Sequence, residues 1–112
     1  MKVDFRFRSI EARDELREHA MRRIQFHLSR FGDEITAVLL RIADINGPRG
    51  GEDKRCQVTV QGPKIGTIIL DDLDSSPFSS VDLAVARAGR TVGRTLERAR
   101  GERRRGLAHH TF

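Results

Sequence analysis

Two kinds of hydrophobic pattern alternate along the chain and divide it into six elements. Apolar residues at every second position, with polar residues between them, are typical of strands with one buried face. The strands that this pattern predicts cover residues 2–8, 35–45, 55–61 and 65–70. Apolar residues three or four positions apart predict amphipathic helices instead, and these cover residues 12–31 and 77–99. The predicted order is therefore β-α-β-β-β-α.

This order predicts an α+β fold. The first strand, the first helix and the second strand form a crossover unit, so the two strands should be parallel and the connection right-handed. The next two strands follow as a meander. Each helix has one apolar stripe, and both stripes can be buried against the same face of the sheet. We therefore expect a two-layer sandwich, with a four-stranded mixed sheet, both helices on one face and the other face open.

The chain is predicted to form one domain and a tail. Its 112 residues are enough for one hydrophobic core, and residues 1–100 contain all the predicted elements. Residues 101–112 are predicted to be a basic, flexible tail. Residues 46–53, with the sequence NGPRGGED, combine turn formers with charge and predict a mobile hairpin loop that buries nothing.

Composition excludes several classes of protein. Apolar residues make up 38% and charged residues 33%, which is typical of a small, solvated globule. No apolar run approaches the ~20 residues that cross a bilayer, and the start of the sequence mixes acids with bases where a signal peptide is apolar. We expect a cytoplasmic protein without a membrane partner. Cys56 is the only cysteine, which excludes an internal disulfide and a multi-cysteine zinc site, and it should be an inert core residue.

Positive charge is concentrated towards the C-terminal end. The net charge is +5, but residues 1–83 contain 13 basic and 14 acidic side chains, whereas residues 84–112 contain eight arginines and two glutamates. Arginine accounts for 18 of the 21 basic residues, and its planar guanidinium group pairs bidentately with phosphate. A GC-rich genome would also raise the arginine content, so the positions of the charges matter more than their number.

Four arginines of the second predicted helix should form a ridge. At about 100° per residue they fall within an arc of roughly 80°, over a length of about 16 Å. They are Arg87, Arg90, Arg94 and Arg98. We expect them to be the main phosphate contacts of an RNA-binding surface. The secondary contacts predicted for the same surface are Arg22, Arg23, Arg30, Lys54, Arg55 and Lys64.

Other interpretations of the basic surface stay open. It could be a solvated helix face in an arginine-rich protein, a protein-interaction module that docks acidic partners, or a general binder of structured RNA. The sequence has no Trp or Tyr, and its six Phe lie mostly on apolar faces. Recognition by shape and backbone is therefore favoured over a base-stacking platform.

Candidate catalytic and metal-binding residues have simpler structural explanations. The three aspartates of residues 71–74 precede a helix, where carboxylates interact with the helix dipole, and no further ligand completes a cation site. The neighbouring serines lack a Gly-x-Ser-x-Gly motif, so Ser76 should cap the helix that begins at Pro77. The two histidines of residues 109–110 lie in the predicted tail. We expect no enzymatic activity, no metal, no cofactor and no small-molecule substrate.

Two segments resemble a known family. Residues 10–24, IEARDELREHAMRRI, and residues 77–85, PFSSVDLAV, are similar to the ribosome hibernation promoting factors, also called ribosome-associated inhibitor or sigma-54 modulation proteins. In the second segment the family pattern is an aromatic residue, two small residues, an aliphatic residue and an aspartate before a helix. Phe78 and Asp82 begin and end the matching stretch. The resemblance covers residues 1 to about 100 and includes the order of elements.

The resemblance implies a protein that binds the small ribosomal subunit and its 16S-type rRNA. We expect it to be a monomer when free. It would occupy the channel for mRNA and tRNA between head and body, and inhibit translation in stationary phase or stress. The C-terminal domain by which long family members pair ribosomes is expected to be absent. Phe78 replaces a usual tyrosine and Arg13 a usual threonine cap, while Gly89 and Gly93 each cost the second helix ~1 kcal/mol relative to alanine.

Overall fold

Each predicted element has a counterpart in the structure. The computed structural model describes residues 1–45 and 53–110, with side chains as far as residue 101. The elements are β1 (Lys2–Arg8), α1 (Arg13–Leu28), a 3-10 helix (Ser29–Glu34), β2 (Ala37–Asp44), β3 (Lys54–Gly62), β4 (Gly66–Asp74) and α2 (Pro77–His110). The predicted order and the α+β fold class are confirmed.

The four strands form one mixed sheet in the order β1-β2-β3-β4. β1 and β2 are parallel, with Phe5 opposite Leu40, as the crossover unit predicts. The other two pairs are antiparallel, with Leu40 opposite Val58 and Val58 opposite Leu70. Because side chains alternate between the two faces of each strand, these apolar residues form a row across the face that the helices cover.

Both helices bury their apolar stripes in one core. Leu16 and Ile24 of α1, and Val85 and Val92 of α2, have no exposed surface. They belong to the same buried cluster as Leu40 of the sheet. Burial of one such side chain stabilises the fold by about 1.5–3 kcal/mol relative to leaving it exposed. The hydrophobic effect therefore fixes both helices on the same side of the sheet.

The two helices start in different ways. Ser76 precedes α2, where its carbonyl oxygen accepts a hydrogen bond from the amide of Ser80 at 3.1 Å and its hydroxyl accepts one from the amide of Ser79 at 3.5 Å. The predicted serine cap is therefore confirmed. α1 follows Ala12, which has a left-handed backbone with φ of 53° and provides no side-chain cap.

β4 is longer than the sequence pattern predicts. Residues 71–74, which the pattern leaves outside the strand, continue it and pair with β3. The pattern conceals this because Asp72 takes the core-side position opposite Cys56, where alternation leads one to expect an apolar residue. Its carboxylate lies 2.9 Å from the Arg87 guanidinium, so a charge at this edge of the sheet has a partner.

Two predictions about irregular segments need revision. α2 continues to His110, so residues 101–110, predicted to be a tail, extend the helix. The predicted mobile loop falls on residues 46–52, which lie outside the described residues. Asp53, the last residue of that predicted loop, is 1% exposed and accepts a hydrogen bond from Lys54 at 2.8 Å. The expectation that this segment buries nothing is therefore wrong at Asp53.

The two glycines inside α2 lie where the helix passes the first helical segment. A Cβ atom added to Gly89 would lie 3.0 Å from the carbonyl oxygen of His27, whereas one added to Gly93 would lie 3.5 Å from Cζ of Phe31. The first distance is tighter than an ordinary contact and involves backbone, which cannot rotate away. Gly89 therefore permits a close helix approach, and the helix runs through both glycines without a break.

We predict opposite effects for alanine at these two positions. Gly93→Ala should raise the free energy of unfolding by about 0.5–1 kcal/mol, because alanine favours the helix and meets ordinary contact distance. Gly89→Ala should lower it, because the new methyl group must push α1 and α2 apart. Urea unfolding followed by circular dichroism measures both. A Gly89→Ala variant more stable than the unmodified protein would contradict the packing explanation.

Candidate nucleic-acid interface

Direct contacts hold α1 and α2 side by side in the same direction. Near the start of the pair, Nε2 of His19 lies 2.7 Å from a carboxylate oxygen of Asp82. The ring of Phe78 packs edge-on against His19, with centroids 5.2 Å apart. Further along, the backbone of His27 lies against Gly89. The residues that carry the family resemblance, Phe78 and Asp82, therefore position the two helices relative to each other.

This arrangement brings arginines from both helices around His27. Partial burial lowers the pKa of His27 from its ordinary value of 6.5, and the positive charges of Arg23, Arg90 and Arg30 lower it further. The pKa falls because burial disfavours the charged imidazolium and the arginines repel it, and these effects outweigh the attraction of Asp82. The imidazole of His27 and the guanidinium of Arg23 also form a hydrogen bond of 3.0 Å. The surface above the two helices therefore carries a positive potential.

The four arginines of the predicted ridge differ in their partners. Arg87 is neutralised by Asp72 and also donates a 3.0 Å hydrogen bond to the carbonyl oxygen of Asp71. The other three are exposed and have no carboxylate within 4.0 Å among the side chains described. They are Arg90, Arg94 and Arg98. Arg94 and Arg98 line the same shallow cavity of about 420 Å³, together with Glu97 and Gly101.

The predicted secondary contacts also divide into paired and unpaired cations. Arg22 and Arg30 are exposed and have no carboxylate within 4.0 Å in the described part of the chain. Four others form ion pairs. These are Arg23 with Asp82 at 3.4 Å, Lys54 with Asp53 at 2.8 Å and Asp44 at 3.2 Å, Arg55 with Asp71 at 2.8 Å, and Lys64 with Glu34 at 3.4 Å. A paired cation offers less charge to an outside phosphate than an unpaired one.

We call the unpaired cations of the predicted set the helix-layer arginines. They are Arg22, Arg30, Arg90, Arg94 and Arg98. Each lies on α1, on α2 or on the 3-10 helix that follows α1. Such a layer suits the electrostatic, sequence-independent part of phosphate binding. The helix-layer arginines are five of the ten cations predicted to contact RNA. The other five form ion pairs within the protein.

Sequence reasoning missed one residue of this layer. Phe26 is 75% exposed, with the Arg23 guanidinium 5.4 Å from its ring centroid and the His27 ring edge-on at 4.9 Å. An exposed ring beside cations is suited to contact an unstacked base. The signal was present in the sequence, because Phe26 lies off the apolar stripe that contains Ile24 and Leu28.

Other candidate chemistry is not assembled into a site. Among the described residues, no group of three His, Cys, Asp or Glu side chains is placed to hold a metal ion. Cys56 is buried, and desolvation raises the pKa of its thiol to about 12, so it is the neutral core residue that the sequence predicts. The side chains of residues 109–110 lie outside the described part. No helix in that part is both long and apolar enough to span a membrane.

The fold and the helix layer together define a class of protein. It is a small α+β domain whose helix layer carries unpaired, exposed arginines. The model of the sigma 54 modulation protein / S30EA ribosomal protein family matches residues 3–100. The chain belongs to this family, and the resemblance inferred from residues 10–24 and 77–85 is confirmed.

Solved structures share this fold at low sequence identity. The Protein Y N-terminal domain from Thermus thermophilus is 21% identical, with a TM-score of 0.69 over 84% of this chain and 98% of that one. A ribosomal subunit interface protein from Coxiella burnetii is 18% identical, with a TM-score of 0.70 over 84% of this chain and 96% of that one. A comparison with curated proteins finds no significant match. These structural matches establish the fold.

The charges around His27 lead to a prediction for its titration. Replacing Arg90 by glutamine should raise the pKa of His27 towards 6.5, because one of the charges that disfavour the imidazolium is removed. Replacing Arg94, whose charge is not among those that shift the pKa of His27, should leave that pKa unchanged. Two-dimensional NMR of the imidazole resonances over a pH series measures both variants. An unchanged His27 pKa in the Arg90→Gln variant would show that the two helices do not share one positive surface.

The same shift gives a stability difference with a definite sign. As the pH falls, the unfolded chain takes up the His27 proton before the folded chain, since the folded pKa is the lower one. The stability contributed by neutral His27 is therefore present above about pH 6.5 and is lost as the pH falls through the folded pKa. Unfolding experiments should show a weaker loss of stability with acid in Arg90→Gln than in the unmodified protein.

Proposed function

We propose that this protein is a ribosome hibernation factor that binds the small ribosomal subunit through rRNA phosphates and inhibits translation in stationary phase or stress. It acts in the cytoplasm without catalysis, by occupying the channel for mRNA and tRNA. The single observation that carries the proposal is the helix layer, whose five unpaired arginines lie on adjacent helical segments. Family membership supports the ribosome as the partner, since the family is described as sigma 54 modulation and S30EA ribosomal proteins.

The chemistry of the helix layer fits a folded RNA better than a flat protein partner. Its cations are all arginines, which bind phosphate oxygens bidentately. Protein–nucleic acid interfaces are more polar and much more positively charged than protein–protein interfaces. Arginines on a two-layer sandwich suit contacts to the shape and backbone of RNA, and this is how structured RNA is usually recognised. The Coxiella burnetii protein that shares this fold is a ribosomal subunit interface protein, which also supports a ribosomal partner.

The principal test removes three unpaired charges of α2. The Arg90→Gln, Arg94→Gln, Arg98→Gln variant should bind purified small ribosomal subunits more weakly. The slope of log affinity against log salt should also fall by about 2–3, because each lost phosphate contact removes roughly one unit. The matched control, Lys2→Gln, Arg13→Gln, Arg17→Gln, removes three exposed cations that are not among the helix-layer arginines, one from β1 and two from the first turns of α1, and should keep its affinity. Sedimentation with subunits at several salt concentrations measures binding, and thermal unfolding checks that both variants fold.

The same variants distinguish the remaining functional candidates. In a cell-free translation reaction, the unmodified protein and the control variant should inhibit synthesis, and the helix-layer variant should not. Equal affinity for subunits in all three proteins would defeat the proposal. Tighter binding to a generic RNA duplex than to subunits would favour a general structured-RNA binder. Binding to acidic proteins but to neither RNA would favour a protein-interaction module.

A further inference from the structure

A second group of arginines lies on the open face of the sheet, on the side away from the helices. Arg6 and Arg8 of β1, Arg41 of β2 and Arg55 of β3 alternate with residues that face the core, and all four are exposed. We call Arg6, Arg8 and Arg41 the sheet-face arginines. None of the three has a carboxylate within 4.0 Å among the described side chains, whereas Arg55 is held by Asp71 at 2.8 Å.

The strand register places these charges against each other. Arg6 is the direct partner of Arg41 across the parallel β1–β2 pair, and neighbouring strands lie about 4.8 Å apart. Arg8 and Arg55 flank Ala43 in the next row across the sheet. Like charges directly opposite each other destabilise a sheet. No acid of the described chain lies within 4.0 Å of these arginines to offset this cost, and an anion bound between them would offset it.

The space above these rows has the size of a binding site. Together with Gln57, the arginines border a shallow cavity of about 410 Å³, within the range of natural ligand sites. The other lining residues are Phe7, Ile42 and Ala43. The side chains of Phe7 and Ile42 belong to the core face. The polar groups presented to a ligand are therefore guanidinium groups and an amide, and apolar surface lies beside them.

From these observations we infer that the open face of the sheet binds phosphodiester groups of a second RNA segment, so that the domain contacts RNA on both of its layers. The inference rests on the proposed function and specifies its geometry. The exposed apolar residues of this face, Ile69 and Leu73, lie on β4 outside the cavity, with Leu73 opposite Arg55. The cavity itself is bordered by four arginines, and a phosphodiester complements that charge better than the apolar centre of a protein interface does. Cations on two opposite faces suit a domain that lies in a groove between RNA elements.

The test removes the two arginines that face each other across the strands. The Arg6→Gln, Arg41→Gln variant should lower the salt slope of binding to small ribosomal subunits by about 2, one unit for each phosphate contact. It should also have a higher melting temperature than the unmodified protein, because the repulsion between opposite charges is relieved. The matched control, Arg13→Gln, Arg17→Gln, removes the same charge from the first turns of α1 and should leave the salt slope unchanged. An RNA duplex of about 20 base pairs, longer than the span of known duplex-binding domains, is a second probe.

The outcomes separate this inference from the proposed function. If the helix-layer variant loses subunit binding and Arg6→Gln, Arg41→Gln does not, the proposed function stands and the second face is wrong. If both variants lose binding and the control does not, both are supported. If the protein binds duplex RNA but not subunits, the proposed function is overturned. The inference then stands only if Arg6→Gln, Arg41→Gln lowers the salt slope of duplex binding. Binding to neither RNA overturns both. Polyglutamate is a further probe. If it binds the sheet-face arginines while RNA binding is unaffected, the occupant is an acidic polypeptide and the inference is overturned.

Discussion

The close contact between α1 and α2 determines what the helix layer can present. With no side chain at Gly89, the backbone of α2 approaches the carbonyl oxygen of His27, and the contact between His19 and Asp82 fixes the register of the two helices. A larger residue at position 89 would separate the two rows of arginines. Arg90 of α2 lowers the pKa of His27 of α1, as Arg23 and Arg30 also do, so charges from separate helical segments act on the same group. The same packing that completes the core therefore also concentrates positive charge.

The acids of the protein decide which cations remain available. β4 supplies Asp71 and Asp72, which pair with Arg55 and Arg87, so the edge of the sheet is electrically balanced. α2 supplies few acids, because Glu97 is the one acid between residues 83 and 101. A net charge of +5 thus understates the local field above the helices. Ion pairs between exposed groups contribute little to stability, so their larger effect here is on where the unpaired charge lies.

Much of the fold, and the arc of arginines on α2, can be predicted because periodicity and burial agree. Leu40 lies in the middle of an alternating apolar series and has no exposed surface. The same pattern ends the fourth strand early because Asp72 occupies a core-side position, and no spacing rule identifies its distant partner Arg87. The proximity of Arg6 and Arg41 depends on the register between β1 and β2, which alternation alone does not define. Local patterns cannot show contacts between separate elements.

In the proposed function, contacts between arginines and phosphates account for the affinity for RNA but not for the selection of one RNA over another. Backbone contacts position a protein on nucleic acid without reading its sequence, so arginines by themselves would bind many RNAs. Selection must then come from shape, which a sandwich with cations on both faces imposes through the width of the groove that it fits. Phe26 adds a contact of a different kind, since an exposed ring beside cations can stack on an unpaired base but not on a continuous duplex. A folded RNA with a groove and an unstacked base can therefore contact both the arginines and Phe26, whereas a regular duplex can contact only the arginines.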